Sequence, residues 1–176
     1  MRAASALRIT VLLVSAAGLL SACATRPQMP EQSLSGRLFV QIDGQPERSQ
    51  SADFDLTGSA RQGRLLLTGP LGTGAAQAEW SPAEAWLLIN GGRTRYADLD
   101  ALSAAVLGEP VPMAALFDWL RGQPWPGAAS SSRADGGAGF EQLGWRIDLS
   151  RWSEAWIEAR REAPPIVSLR ARLERP

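Results

Sequence analysis

A succession of short segments in which apolar and polar residues alternate constrains this fold more than any other feature of the sequence. The clearest is residues 51–58 (SADFDLTG), where Ala52, Phe54 and Leu56 share one side of a strand and acidic residues share the other. Turn residues separate it from similar segments: SGRLFVQID, RLLLT, AAQAEW, AWLLIN and RTRYA before residue 98, and FEQLGWRIDLSRW and PPIVSLRARLE after residue 139. Short strands joined in sequence predict an antiparallel meander that curls into a barrel or part of one.

Two helices are predicted inside this run of strands. The first has Asp98 as its N-cap and Gly108 as its end, and the second begins at Pro112 and ends at Gly122. Each carries an apolar stripe at helical spacing, which is typical of a helix packed on a sheet. The same helices could instead plug the open side of a curled sheet. Residues 122–139 (GQPWPGAASSSRADGGAG) are rich in glycine, serine and proline, so we expect an irregular connection there.

The N-terminus resembles a lipoprotein export signal. Residues 9–20 (ITVLLVSAAGLL) form an apolar segment that is too short to span a bilayer as a helix, and the sequence LSAC, ending at Cys23, follows. LSAC resembles the bacterial lipobox, in which the cysteine thiol takes a diacylglycerol, the chain is cut before it and the new N-terminus is acylated. The alternative is an ordinary signal peptide that leaves Cys23 as a free thiol.

The lipobox resemblance divides the chain into three parts. We expect residues 1–22 to be a lipoprotein signal peptide, residues 23–33 to be a lipidated tether, and residues 34–176 to form a single domain. Ala24 follows the cysteine, and by resemblance to enterobacterial sorting signals it predicts export to the outer membrane.

The composition removes most catalytic chemistry. All 18 basic residues are arginine, and the chain has no lysine and no histidine. Histidine-dependent serine or cysteine catalysis, histidine zinc sites and Schiff-base lysines are therefore excluded. The 18 basic residues balance 18 acidic ones, so no nucleic-acid footprint is implied. We predict no cofactor and no metal, and what remains for an enzyme is mainly a pair of carboxylates.

A leucine stands at the tip of one predicted turn. In residues 64–74 (RLLLTGPLGTG), a strand ends in a Gly-Pro turn whose tip is Leu71. Turn tips normally carry small or polar residues, and a leucine left in water forgoes roughly 1.5–3 kcal/mol of burial free energy. Either the loop folds back over Leu71, or something apolar outside the protein receives it.

Four stretches follow one another along the chain: the lipobox, RLLLTGPLG, ADLDALSAAVLGEPVPMAALFDWLRGQP and FEQLGWRIDL. Together they resemble the LolB family of outer-membrane lipoprotein receptors. The resemblance implies an unclosed antiparallel β-barrel (a half-barrel) that helices cover and apolar side chains line. It implies a monomer on the periplasmic face of the outer membrane, which takes acylated lipoproteins from the periplasmic carrier LolA and inserts them into outer-membrane lipid without ATP.

The same resemblance implies particular site residues. Cys23 is the lipidated residue, and the turn at Pro70, Leu71 and Gly72 enters the membrane. From the apolar faces of the predicted strands and helices we also predict a lining for an acyl-chain cavity: Leu38, Val40, Phe54, Leu56, Leu116, Trp119, Trp145 and Ile147.

Two other functions are compatible with such a chain. A cell-wall hydrolase would need paired carboxylates, and the candidates are Asp53 with Asp55 and Asp98 with Asp100. The first pair lies on the polar side of its strand, and the second pair is typical of a helix start. A structural lipoprotein would only scaffold other outer-membrane proteins. Two arginines, Arg93 and Arg95, could steer an acidic carrier, although exposed arginines are usually solvated surface.

Overall fold

A computed structural model describes residues 33–72 and 74–174, with only the backbone of Leu71. Its eleven strands form one antiparallel sheet in the order β6-β5-β4-β3-β2-β1-β11-β10-β9-β8-β7. The strands are β1 Ser33–Ile42, β2 Gln50–Gly58, β3 Gly63–Thr68, β4 Ala75–Ser81, β5 Glu84–Ile89, β6 Gly92–Tyr96, β7 Ser130–Ser132, β8 Gly139–Gln142, β9 Trp145–Asp148, β10 Trp156–Arg161 and β11 Val167–Leu173.

Two helices separate β6 from β7, as the sequence predicts. Helix α1 spans Leu99–Leu107, and the Asp98 carboxylate caps it by accepting from the Ala101 N–H at 2.7 Å. Gly108 ends it in the left-handed conformation, with φ of 81°. Helix α2 spans Met113–Trp119 after Pro112. It ends earlier than predicted, because the N–H of Gly122 already bonds the Trp119 carbonyl at 2.8 Å, which closes a turn.

One face of the sheet holds the core. Alternate residues of neighbouring strands meet across the ladders on this face, as in Leu38 opposite Ala171 and Val40 opposite Leu169. Both helices cover this face, and we call it the inner face. The fully buried ring of Phe117 meets Trp80 edge-on at 5.3 Å between centroids. The prediction of an unclosed antiparallel sheet with helices is therefore confirmed.

Short or charged strands form the two edges of the sheet. Strand β6 is exposed along most of its length and carries two arginines, and β7 is only three serines long. Such edges discourage pairing with another chain. In the described residues, neither helix is long and apolar enough to cross a membrane.

The sequence did not predict β7 or β10. Strand β10 presents Ile157 and Ala159 inward and alternates them with charged residues, so its apolar signal is weak. Strand β7 has no apolar residue and lies within the segment expected to be irregular. It forms because β8 offers it hydrogen-bond partners, a long-range contact that a local pattern does not reveal.

Candidate functional site: an apolar cleft beside a loop

An apolar cleft lies between the two helices and strands β3, β4 and β5. Its volume is about 20 Å³, roughly the room that one water molecule needs. Small side chains at Ala76 and Ala78 on the inner face leave this space under the helices. The cleft is lined by Leu38, Leu65, Leu67, Ala76, Ala78, Leu87, Leu102, Ser103, Val106, Leu107, Met113 and Leu116.

The one polar side chain of this lining is satisfied by backbone groups. The buried Ser103 hydroxyl donates to the Asp100 carbonyl at 2.9 Å and accepts from the Val111 N–H at 2.9 Å. These bonds tie the end of the α1–α2 connection to the middle of α1. The walls of the cleft are therefore apolar in character, and an unpaired polar group would be costly there.

Two of the eight predicted lining residues, Leu38 and Leu116, line the cleft. The other six are buried in the packed core and are not among its lining: Val40, Phe54, Leu56, Trp119, Trp145 and Ile147. The lining residues on β3, β4 and β5 were not predicted from the sequence. A signal was available, because Ala76 and Ala78 alternate on one side of AAQAEW, and small residues beneath a helix stripe leave space.

A buried glutamine on β8 fixes the C-terminal end of α2 to the sheet. Gln142 on β8 accepts hydrogen bonds from Trp119 Nε1 at 2.8 Å and from the Trp125 N–H at 2.9 Å. Its amide donates to the carbonyls of Trp125 and Ala128 at 2.7 and 2.8 Å. The Trp119 ring packs on Trp145 at 6.0 Å. Since every polar atom of this amide is used, this end of α2 is the anchored one.

The β3–β4 loop, residues 69–74, borders the cleft. The last inner-face residues before and after it, Leu67 and Ala76, face each other across the ladder, and both line the cleft. The loop contains a 3-10 turn, Pro70–Gly72. The Gly69 N–H donates to the Gly74 carbonyl at 3.1 Å, and this hydrogen bond closes the loop. The Leu71 side chain and Cys23 lie outside the described residues.

Two arginines, one on β10 and one in the β1–β2 connection, hold the loop that joins the helices. The Glu109 carboxylate lies 3.0 Å from Arg161 on β10 and 3.9 Å from Arg48 between β1 and β2. Arg48 also donates to the Gly108 carbonyl, and Arg161 donates to the Pro165 carbonyl at 2.9 Å. The side chains of Glu109 and Arg161 are only 14% and 17% exposed. We call these three residues the Glu109 cluster.

The candidate carboxylate pairs lie outside the cleft lining. Asp53 is on the opposite, outer face, where the Arg37 guanidinium bonds it at 2.8 and 3.1 Å and lowers the pKa of the carboxyl. Asp98 caps α1, and burial raises the pKa of Asp100, with the Asp98 charge adding to the effect. Residues 33–72 and 74–174 hold no group of three or more acidic, cysteine or histidine side chains able to bind a metal.

The two arginines considered for carrier steering lie on edge strand β6. Arg93 stacks over the Trp86 ring at 4.0 Å and lies 3.8 Å from Glu79. Arg95 lies 3.9 Å from Glu84. Both arginines remain about half exposed or more, so these contacts leave them accessible on the edge strand.

An open antiparallel sheet with helices over an apolar cleft defines the class of this protein as a half-barrel. A sequence model of the family described as "Outer membrane lipoprotein LolB" matches residues 31–173. The chain belongs to that family.

Curated relatives carry the same description, "Outer-membrane lipoprotein LolB". The protein from Chromobacterium violaceum is 35% identical over 152 residues, which cover 80% of this chain and 82% of the relative. That from Bordetella petrii is 33% identical over 150 residues, covering 77% and 75%. That from Alkalilimnicola ehrlichii is 33% identical over 159 residues, covering 79% and 80%.

Proposed function

We propose that this protein is an outer-membrane receptor that accepts acylated lipoproteins from the carrier LolA and inserts them into the outer membrane without ATP. The observation that carries the proposal is the apolar cleft under two helices, bordered by a glycine-rich loop with a leucine tip. Membership of the LolB family supports it. In this proposal Cys23 is the acylated residue that anchors the protein, residues 1–22 are removed and residues 23–33 form the tether.

Acceptance requires the cleft to enlarge. A volume of about 20 Å³ is far too small for a fatty acyl chain, so the helices must move away from strands β3, β4 and β5. Each methylene that leaves water contributes about 0.8 kcal/mol, so a long acyl chain can offset the cost of opening. Because Gln142 anchors the Trp119 end of α2, we expect α1 and the start of α2 to move most.

The Glu109 cluster resists this movement. Opening pulls the α1–α2 connection away from the sheet and separates the Glu109 carboxylate from Arg161 and Arg48. Partly buried ion pairs favour the closed state by a modest amount, of the order of 1 kcal/mol. The empty protein therefore stays closed and keeps its apolar lining out of water, while a bound acyl chain can hold it open.

Release occurs at the β3–β4 loop. A chain that leaves the cleft past Leu67 and Ala76 reaches this loop next. A leucine that enters the bilayer from the tip joins the cleft to the lipid, so the acyl chain need not cross water. The driving force is the greater burial that the bilayer offers, which requires no nucleotide.

A transfer assay tests the proposal. The soluble Cys23→Ala protein is mixed with a complex of LolA and a radiolabelled lipoprotein, and the two proteins are then separated. We expect the lipoprotein to move to the soluble protein and, after vesicles are added, to the vesicles. A lipoprotein that stays on LolA at saturating protein contradicts the proposal and favours a scaffolding role.

A further inference from the structure

The most exposed large apolar side chains of the described residues are Leu143 at 46%, Ile89 at 41% and Phe39 at 37%. Single exposed aliphatic residues are common and need no special explanation. Two of these three, however, lie at hairpin ends: Ile89 is the last residue of β5, and Leu143 is in the turn between β8 and β9. Their position in the sheet distinguishes them from Phe39 in the middle of β1.

Both hairpin ends lie at the same end of the sheet as the β3–β4 loop. In the meander from β1 to β6, the connections after β1, β3 and β5 share one end, which is the end of Ile42. Across the centre, Ile42 pairs with Val167, Val167 with Arg161, and Arg161 with Trp145 at the β8–β9 turn. We call this end of the sheet the loop edge.

The three tips share a composition that the other connections at the loop edge lack. The tip sequences TGPLGTG, INGG and QLGW hold glycine and one large aliphatic residue and carry no charge. The β1–β2 and β10–β11 connections contain acidic residues, and the α1–α2 connection contains Glu109. Uncharged aliphatic tips can enter a bilayer, where a carboxylate would be costly.

The backbone at Leu143 gives an independent indication. Leu143 and Gly144 have φ of 54° and 76°, the left-handed values of a two-residue hairpin turn. A leucine in this conformation costs roughly 1–2 kcal/mol, whereas asparagine adopts it more easily. The equivalent β5–β6 turn has the favourable pair Asn90 and Gly91, with φ of 51° and 78°. Leu143 thus combines a strained backbone conformation with an exposed apolar side chain.

Ile89 also connects the loop edge with the cleft. It pairs with Ala76 across the ladder, and Ala76 in turn pairs with Leu67, so the three form one row on the inner face. Leu67 and Ala76 line the cleft, whereas Ile89 lies beyond it at the strand end. An acyl chain that leaves along this row would meet Ile89 at the loop edge.

We propose that Ile89 and Leu143 are additional membrane contacts, so that the protein docks on the lipid surface by three uncharged tips of the loop edge and not by the β3–β4 loop alone. The proposal rests on the proposed function for the presence of a bilayer at this edge. Three separated contacts hold the cleft mouth against the surface and fix the angle of the sheet, which one loop cannot do.

The first experiment uses single-cysteine labelling of the soluble Cys23→Ala protein, which has no other cysteine. An environment-sensitive fluorophore is placed on Ile89→Cys, Leu143→Cys, Leu71→Cys or Ala83→Cys, the last at the opposite end of the sheet. Vesicles of phosphatidylethanolamine and phosphatidylglycerol carry a lipid-phase quencher. We expect a blue shift and quenching at positions 89, 143 and 71 and no change at position 83.

Several outcomes overturn the inference. A response at 71 without one at 89 or 143 means that a single loop docks, and the proposed function then stands. A response of 89 and 143 to LolA but not to vesicles means that these tips contact a protein. Failure of the proposed function is seen separately, as a lipoprotein that stays on LolA in the transfer assay.

A second variant separates folding from docking. Leu143→Asn creates the Asn-Gly turn already present between β5 and β6, so we expect its melting temperature to equal or exceed that of the parent. Its affinity for the same vesicles should fall roughly three- to tenfold, because one aliphatic side chain no longer enters the lipid. Unchanged vesicle affinity in a variant that melts at or above the temperature of the parent overturns the contribution of Leu143.

Discussion

At the scale of single residues, the proposed function depends on aliphatic side chains that are chemically alike and differ in where they lie in the fold. Leu87 and Leu88 are neighbours in sequence, yet Leu87 lines the cleft and Leu88 is on the opposite face of β5. Successive side chains of a strand lie on opposite faces of the sheet, so the sequence predicts this difference. Which of the inward residues lie beside empty space depends on the helices above them, and the sequence does not reveal that.

Leu71→Glu tests the role of the β3–β4 loop in release. We expect the variant to accept lipoprotein from LolA normally and to deliver it to vesicles at least tenfold more slowly, because a carboxylate that enters the bilayer costs several kcal/mol. Acceptance, delivery and thermal melting are measured on one preparation. Ala83→Glu, at the opposite end of the sheet, is the matched control and should deliver normally. A Leu71→Glu protein that melts far below its parent, or delivers at the parental rate, contradicts this role.

At the scale of elements, both helices and every strand except β7 and β10 could be predicted from alternation, caps and turn residues, whereas the segment between α2 and β8, which contains β7, could not. The conformation of this segment depends on hydrogen bonds to residues far away in the sequence. Gln142 binds Trp125 and Ala128, and Arg133 contacts Asp135 at 2.6 Å and Asp148 at 2.8 Å. None of these pairings follows from local composition, which instead resembles that of a loop.

The Arg133 contacts predict a pH dependence. Hydrogen bonds from Arg133, with help from the Gly137 N–H, lower the pKa of Asp135 to about 2 from its usual value of 3.8. The stabilisation is present above pH 3.8 and is lost as the pH falls through the folded-state pKa of about 2. Denaturant unfolding should therefore show a larger loss of stability in this window for the parent than for Asp135→Asn. Parallel pH profiles of the two proteins would contradict the pairing.

Glu109→Gln tests whether the Glu109 cluster holds the helices closed. The amide keeps the size of the side chain but removes its charge, so we expect a lower melting temperature and about fivefold faster uptake of a fluorescent fatty acid in stopped-flow measurements. Glu158→Gln is the control, because its partner Arg170 lies 3.3 Å away on the outer face. A lower melting temperature with unchanged uptake would assign the cluster to stability alone.

At the scale of the whole molecule, β1 begins at the end of the sheet opposite the loop edge. The strand begins at Ser33, at the end away from the β3–β4 loop, and the nine steps between its ten residues span about 30 Å. Ten residue steps separate Cys23 from Ser33, and such a length of chain reaches at most about 33–36 Å. If residues 23–33 are the tether that we propose, a fully extended tether just allows the anchor and the loop edge to meet the same bilayer with the sheet upright.

Deletion of residues 26–30 tests this length requirement. In vesicles that carry the lipidated protein, we expect the deletion to reduce delivery into those vesicles strongly, since the loop edge can no longer reach the surface. Replacement of the same five residues by a glycine-serine sequence of equal length should keep delivery, and the soluble form with the deletion should accept lipoprotein normally. Delivery by the shortened, anchored protein at the parental rate would mean that the sheet does not stand upright.

In the proposed function, the acyl chains of a client occupy the cleft under α1 and α2, and site-specific photo-crosslinking can detect them there. A photoreactive amino acid is placed at Leu87, which lines the cleft, or at its neighbour Leu88 on the outer face. Each protein receives from LolA a lipoprotein with labelled acyl chains. We expect acyl label on the protein with the probe at position 87 and none on the protein with the probe at position 88. Equal labelling at both positions, or labelling at 88 alone, would contradict it.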